Sequence, residues 1–137
     1  MKLRAITKRI IIHHSGGPRR VKIEDIHRFH TAKPPAGRGW EDVAYHYVIE
    51  EDGRTKRGRD VHRVGAHDEG ENTDSIGVCV TGNNLDPSEA WTQAQIIALR
   101  ELIVAIETVY GPLLREGHRD RGGDTTDCPG LDVQRVL

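Results

Sequence analysis

The chain has 137 residues, with 20 Lys and Arg against 21 Asp and Glu and a formal net charge of −1. One domain of this length buries roughly two thirds of its unfolded surface and needs no disulfide framework, while the charge balance leaves no global field for nucleic acid or anionic lipid. Apolar runs such as Ile10-Ile11-Ile12 and Ile96-Ile97-Ala98-Leu99, none longer than five residues, exclude a transmembrane helix and the apolar stretch of a Sec signal peptide.

Ile6–His14 reads as the first strand, with three β-branched residues at its centre and both faces apolar, as in a strand covered on each side. Ser15-Gly16-Gly17-Pro18 ends it. Ile23, Ile26, Phe29 and His30 recur at near-helical spacing, which predicts a short helix over Lys22–Thr31. Lys33-Pro34-Pro35-Ala36-Gly37 is a loop, because two prolines cannot extend a helix. A second strand is expected over Val43–Glu50, with Val43, Tyr45, Tyr47 and Ile49 on one face. Asp52-Gly53 then predicts a type I′ turn into a hairpin strand at Arg54–Gly58. Ser75–Thr81 reads as an interior strand with two apolar faces.

Thr92 and Gln95 form a capping box for a helix running to Tyr110, whose apolar stripe is Ile96, Leu99, Leu102, Ile103, Ile106 and Val109. Gly111-Pro112 stops that helix. Leu113–His118 is expected as a short strand, and Leu131 onward as the beginning of a final helix. No repeat or linker interrupts this order. The expected architecture is α/β, a single domain over residues 1–137 with a central mixed β-sheet and helices packed on both faces.

Imidazole is the chemistry in excess: eight histidines accompany two cysteines. His118 ends a strand, and Cys128 follows it in a Gly/Pro-rich loop that can return to its start. A thiolate with imidazole favours zinc among the common divalent metals. A catalytic site needs a third protein ligand and one open position, and His13 or His14 is the natural donor. Cys79, inside an apolar strand, reads as a small buried hydrophobe. His27 and His30, three apart on a helix, read as capping, packing or solvent-facing residues.

Several motifs in order along the chain resemble the N-acetylmuramoyl-L-alanine amidase family, which includes amidase-type phage endolysins and peptidoglycan recognition proteins. They are Ile12-His13-His14-Ser15, Gly39-Trp40 with Tyr45-His46-Tyr47, Gly65-Ala66-His67, Asn72 to Gly77, Gly117-His118-Arg119-Asp120 and Asp127-Cys128-Pro129-Gly130. The resemblance implies one zinc ion held by His13, His118 and Cys128, with Tyr45 in the active site. Thr126 stands where many phage and bacterial members carry lysine and many animal ones threonine, an alignment that depends on a bulge at Gly122-Gly123. Cys79 stands where some bacterial relatives carry a glutamate base. His67, Asn72 and Trp40 are candidates for substrate contact, with packing at the start of its strand the alternative for Trp40, and Asp120 either orients His118 or closes a local turn.

The implied reaction is zinc-dependent hydrolysis of the amide between the lactyl carbonyl of N-acetylmuramic acid and L-alanine in peptidoglycan. The expected setting is a monomeric phage endolysin without a separate wall-binding domain, made in the host cytoplasm without a signal peptide and acting on the wall. Its partner is peptidoglycan or a muropeptide, with no nucleic acid and no membrane. Two alternatives stand beside it: a bacterial enzyme recycling soluble muropeptides in the cytoplasm, and a non-catalytic peptidoglycan-binding module.

Overall fold

In a computed structural model the isoleucines at 10 to 12 lie in the middle of the sheet, each fully buried. The structure describes residues 1–121 and 125–137. The expected Gly122-Gly123 bulge lies outside the described residues.

The elements are β1 (Arg9–His14), α1 (Ile23–Thr31), β2 (Tyr47–Ile49), β3 (Thr55–Arg57), β4 (Ser75–Val80), α2 (Gln93–Tyr110) and β5 (Leu114–Gly117). The sheet order is β3-β2-β4-β1-β5. β2, β4, β1 and β5 run parallel, and β3 alone is antiparallel, so the sheet is mixed as expected. Parallel central strands must be covered on both faces, which is why β1 and β4 tolerate no polar alternation.

The two faces differ in character. Ile10, Ile12, Ile76, Val78 and Val80 turn one way and pack against Leu99, Ile103 and Ile106 of α2. The other face carries Val48 and Cys79 beneath Ile26 of α1. Buried apolar side chains of this size contribute about 1.5–3 kcal/mol each, so the α2 face holds most of the fold's stability. At the start of α2, Gln95 closes the expected capping box with Thr92 and donates to the Thr81 carbonyl at 2.9 Å. The amide thereby ties the helix to the end of β4.

Four expectations are corrected. Val43 and Tyr45 pack toward α1 whereas Tyr47 and Ile49 face α2, so the pleat breaks at His46. There the His46 amide donates to the Gly77 carbonyl and its ring Nδ1 accepts from the Gly77 amide, the imidazole replacing a backbone carbonyl in the ladder. The hairpin turn is not type I′, which needs two residues of positive φ: only Gly53 has one, and Gly53 N–H bonds the Glu50 carbonyl, as in the three-residue loop. Val109 is 74% exposed, because in the last turn Tyr110 rather than Val109 packs against the core. The chain from Leu131 forms only a single 3-10 turn, Val133–Arg135, rather than a helix. Among the described residues no helix is long and apolar enough to cross a membrane.

His30 and His46 each accept a backbone N–H at Nδ1, at 3.0 Å, and burial holds both pKa values down to about 4 against an ordinary 6.5. Burial displaces His13, His14 and His67 in the same direction. Between those values the unfolded chain binds more protons, so this stability is complete above the ordinary pKa and drains as pH falls toward the folded one. At ~1.4 kcal/mol per pKa unit, His30 and His46 are each worth on the order of 3 kcal/mol. The urea-unfolding free energy of chelator-treated protein should therefore fall by several kcal/mol from about pH 7 to about pH 4.5. A flat profile over that interval would contradict the assignment.

Candidate metal centre and active site

Two strand registers assemble the site. Ile12 of β1 lies opposite Gly117 of β5, and His13 lies opposite Cys79 of β4. Because β1 and β5 are parallel and in register, the residues that follow, His13 and His118, emerge side by side with ring centroids 4.8 Å apart. They do so at the carboxyl ends of parallel strands, where open α/β sheets bind ligands.

Alternation along β1 decides between the two adjacent histidines. His13 points to the α1 face and is 2% exposed. His14 points away and accepts the Asn84 amide at Nδ1, 3.2 Å. Cys128 reaches the same place because Gly117 has no side chain: a Cβ there would lie 2.8 Å from Pro129 Cδ. The Cys128 carbonyl accepts from the Arg119 amide at 2.7 Å, which closes the loop onto the turn after β5. Cys128 Sγ sits 3.8 Å from His13 Nδ1 and accepts the His14 amide at 3.3 Å. One ligand atom from each of His13, His118 and Cys128 lies within 4.8 Å of the others. His118 and Cys128 are only half-buried, so this cluster opens to solvent on one side.

The surrounding side chains divide into two groups. Tyr45 stacks obliquely on His13 with centroids 5.2 Å apart. Burial first, then Cys79 and Cys128, push its hydroxyl pKa well up, which keeps Tyr45 protonated and able to donate. Thr126 Oγ1 accepts the Cys128 amide at 3.1 Å and shapes the thiol's loop, leaving its own proton to donate. Trp40 is half-buried against His30, 5.0 Å between centroids, with the Arg38 guanidinium 5.5 Å from its ring. From Tyr45 a groove runs between Ser15 and Phe29, with Asp25 and Arg38 on its walls.

Of the expected substrate contacts, His67 is buried and Asn72 half-buried, and both hydrogen-bond within the chain. His67 is 7% exposed, its Nδ1 3.0 Å from His13 Nε2 and its Nε2 3.1 Å from Ser75 Oγ. Asn72 Oδ1 accepts the amides of both His67 and Asp68 at 2.9 Å. Sequence reasoning passed over Asp68, whose buried carboxylate lies 3.4 Å from His118 Nε2. Its signal was an acid directly after Gly-Ala-His. Asp120 instead closes the local turn, accepting the Gly117 amide at 2.8 Å. Ion pairs hold this loop from behind, with Arg9 on Asp74 at 2.5 Å and Arg121 on Glu71 at 2.8 Å.

Gly77 is the space into which His67 fits, since a Cβ on Gly77 would fall on the imidazole. Overpacking of this kind costs about 1–3 kcal/mol. Gly77→Ala is therefore expected to destabilise the fold by that amount in urea unfolding and to displace the His67 ring. Wild-type stability in that variant would show that the slot is not tight.

Residues 3–131 match the N-acetylmuramoyl-L-alanine amidase family. The chain is 34% identical over 139 residues to the endolysin of Enterobacteria phage T3, covering 98% of this chain and 87% of the relative. With the endolysin of Escherichia phage T7 the figures are 35% over 140 residues, 98% and 87%. Of solved structures, the Ph2119 endolysin from the Thermus scotoductus MAT2119 bacteriophage shares the fold with a TM-score of 0.84 at 28% identity, over 98% of this chain and 86% of that one. Sequence and fold thus agree from end to end, and the chain belongs to the N-acetylmuramoyl-L-alanine amidase family.

Proposed function

We propose that this amidase is zinc-dependent and acts as a phage-type endolysin, hydrolysing the amide between the lactyl carbonyl of N-acetylmuramic acid and L-alanine in the cell wall. The observation that carries the reading is the convergence of His13, His118 and Cys128 at a solvent-open mouth. The donor chemistry fits: two imidazoles and a thiolate suit zinc, and three protein ligands leave a fourth position for catalysis. When bound there, zinc supplies Lewis acidity and makes water acidic enough to attack near neutral pH.

The chain's own residues do the rest. The His14 amide, donating to Cys128 Sγ, favours the thiolate. Asp68 holds the His118 ring through Nε2, the usual way a carboxylate orients a liganding imidazole. Tyr45, kept protonated by burial, donates its O–H to the oxyanion that develops on the lactyl carbonyl. Thr126 adds a second, uncharged donor. The groove beside Tyr45 takes the junction of glycan and peptide, with Trp40 bordering the substrate, while His67 and Asn72 brace the site from behind. A non-catalytic binding module would have no use for a thiol placed between two imidazoles, which favours the enzyme.

His13→Ala or Cys128→Ala is expected to abolish both zinc retention after dialysis and release of new amino termini from sacculi. Full activity in either variant would end the zinc reading. His14→Ala should keep its zinc, because that ring faces the other side of the strand. Tyr45→Phe should retain zinc while turnover falls roughly 100-fold or more, the effect of removing one oxyanion donor. Faster cleavage of soluble muropeptides than of sacculi would turn the assignment from wall lysis to recycling.

A further inference from the structure

The geometry points to His67 as a positioning residue for the metal: through a relay ending at Ser75, it locks His13 in the tautomer that presents Nδ1 to the ion. This inference rests on the zinc reading above and extends it to residues that cannot touch zinc themselves.

Proton counting along the relay supports it. The Ser75 hydroxyl donates to the Glu71 carbonyl at 2.7 Å, an acceptor with no proton to return. With that proton used, Ser75 Oγ offers only lone pairs to His67 Nε2, 3.1 Å away, so His67 must carry its proton on Nε2. A neutral His67 then has a bare Nδ1, which accepts from His13 Nε2 at 3.0 Å. His13 therefore carries its proton on Nε2 as well. Its Nδ1 is left with a free lone pair, and that nitrogen is the one facing Cys128 Sγ. Each link in the chain admits one direction only.

The protein holds this relay rigidly. Ser75 is fully buried, and His13 and His67 nearly so, which keeps water from offering alternative partners. The His67 ring fits between two glycines: a Cβ at Gly65 would lie 2.7 Å from its Cδ2, and one at Gly77 would overlap the ring. Asn72 fixes the backbone on which the ring is mounted. At the far end, the Arg121–Glu71 ion pair steadies the residue whose carbonyl terminates the relay. Without the relay, His13 would divide between two tautomers, and one of them would point a proton at the ion. Partners of this kind typically change metal affinity 10- to 100-fold.

The test combines imidazole 15N NMR on full-length apoprotein with zinc affinity measured by chelator competition. In the wild type, both His13 and His67 should appear protonated at Nε2 and bare at Nδ1 before any metal is added. His67→Leu should bind zinc roughly 10- to 100-fold more weakly and show His13 as a tautomer mixture. His67→Asn, whose side-chain oxygen can accept in place of Nδ1, should keep most of the affinity. Turnover of His67→Leu should recover at saturating zinc, which a substrate-binding or acid–base role would not allow. Ser75→Ala removes only the hydroxyl and serves if His67→Leu fails to fold; it should leave His67 in mixed tautomers with a smaller loss of affinity. Wild-type affinity in His67→Leu, or a proton on His13 Nδ1 in the apoprotein, would overturn the proposal. Failure of the wild type to take up zinc would instead strike the metal reading, and the apoprotein spectrum would still report on the relay.

Discussion

Everything at the site depends on the parallel register of β1 against β5. Ile12 opposite Gly117 brings the next residue of each strand, His13 and His118, to the same edge at the same height. A slip of one residue would send His13 to the α2 face and bring His14 to the α1 side, because strand side chains alternate. The isoleucine run makes such a slip costly. Ile10 and Ile12 are packed in the α2 core, and reversing them would bury imidazole there and expose isoleucine to the polar side. Hydrophobic packing on one face thus sets the chemistry on the other.

The two faces carry different duties as a result. Toward α2 the sheet is aliphatic and supplies stability. Toward α1 the sheet narrows to Gly77 and Cys79, and the volume released is taken by His46, His67 and Tyr45. Such polar burial is tolerable only with hydrogen bonds for each ring, and they are present. His46 bonds Gly77 and Arg63, His30 bonds Ala44, and His67 bridges His13 and Ser75. The site is therefore built as a buried, prearranged wall behind an open cluster of His13, His118 and Cys128. Ion pairs from Arg9 and Arg121 hold its outer loop in place.

Two side chains beside the cluster bear on the proposed chemistry. Thr126 offers a hydrogen bond without a charge, so under the proposed mechanism the stabilisation of developing negative charge would fall on Tyr45 and a bound metal. Cys79 lies across from His13 in the ladder, and burial pushes its thiol pKa far above the ordinary range. A thiol that cannot ionise is no base, so this position packs the strand and touches the environment of Tyr45 electrostatically.

Much of this was legible in the sequence, because local signals carry it. The β-branched run, the capping box at Thr92, the stop at Gly111-Pro112 and the hairpin glycine placed five strands and two helices nearly where they lie. The ordered His, Tyr and Cys motifs identified the family and the residues that converge. What period and propensity could not show were contacts between segments distant in the chain. The break at His46 arises because its ring bonds Gly77, and nothing local to residues 43–50 reveals that partner. The inward turn of His67 follows from the space left by Gly77, and the importance of Asp68 from its approach to His118, which begins some fifty residues later in the chain. The sequence by itself determined which residues were available for chemistry and which strands would bury. Only the tertiary structure decided that His67 turns inward between His13 and Ser75 and that Asp68 approaches His118, because those contacts join distant segments and form after the sheet has closed.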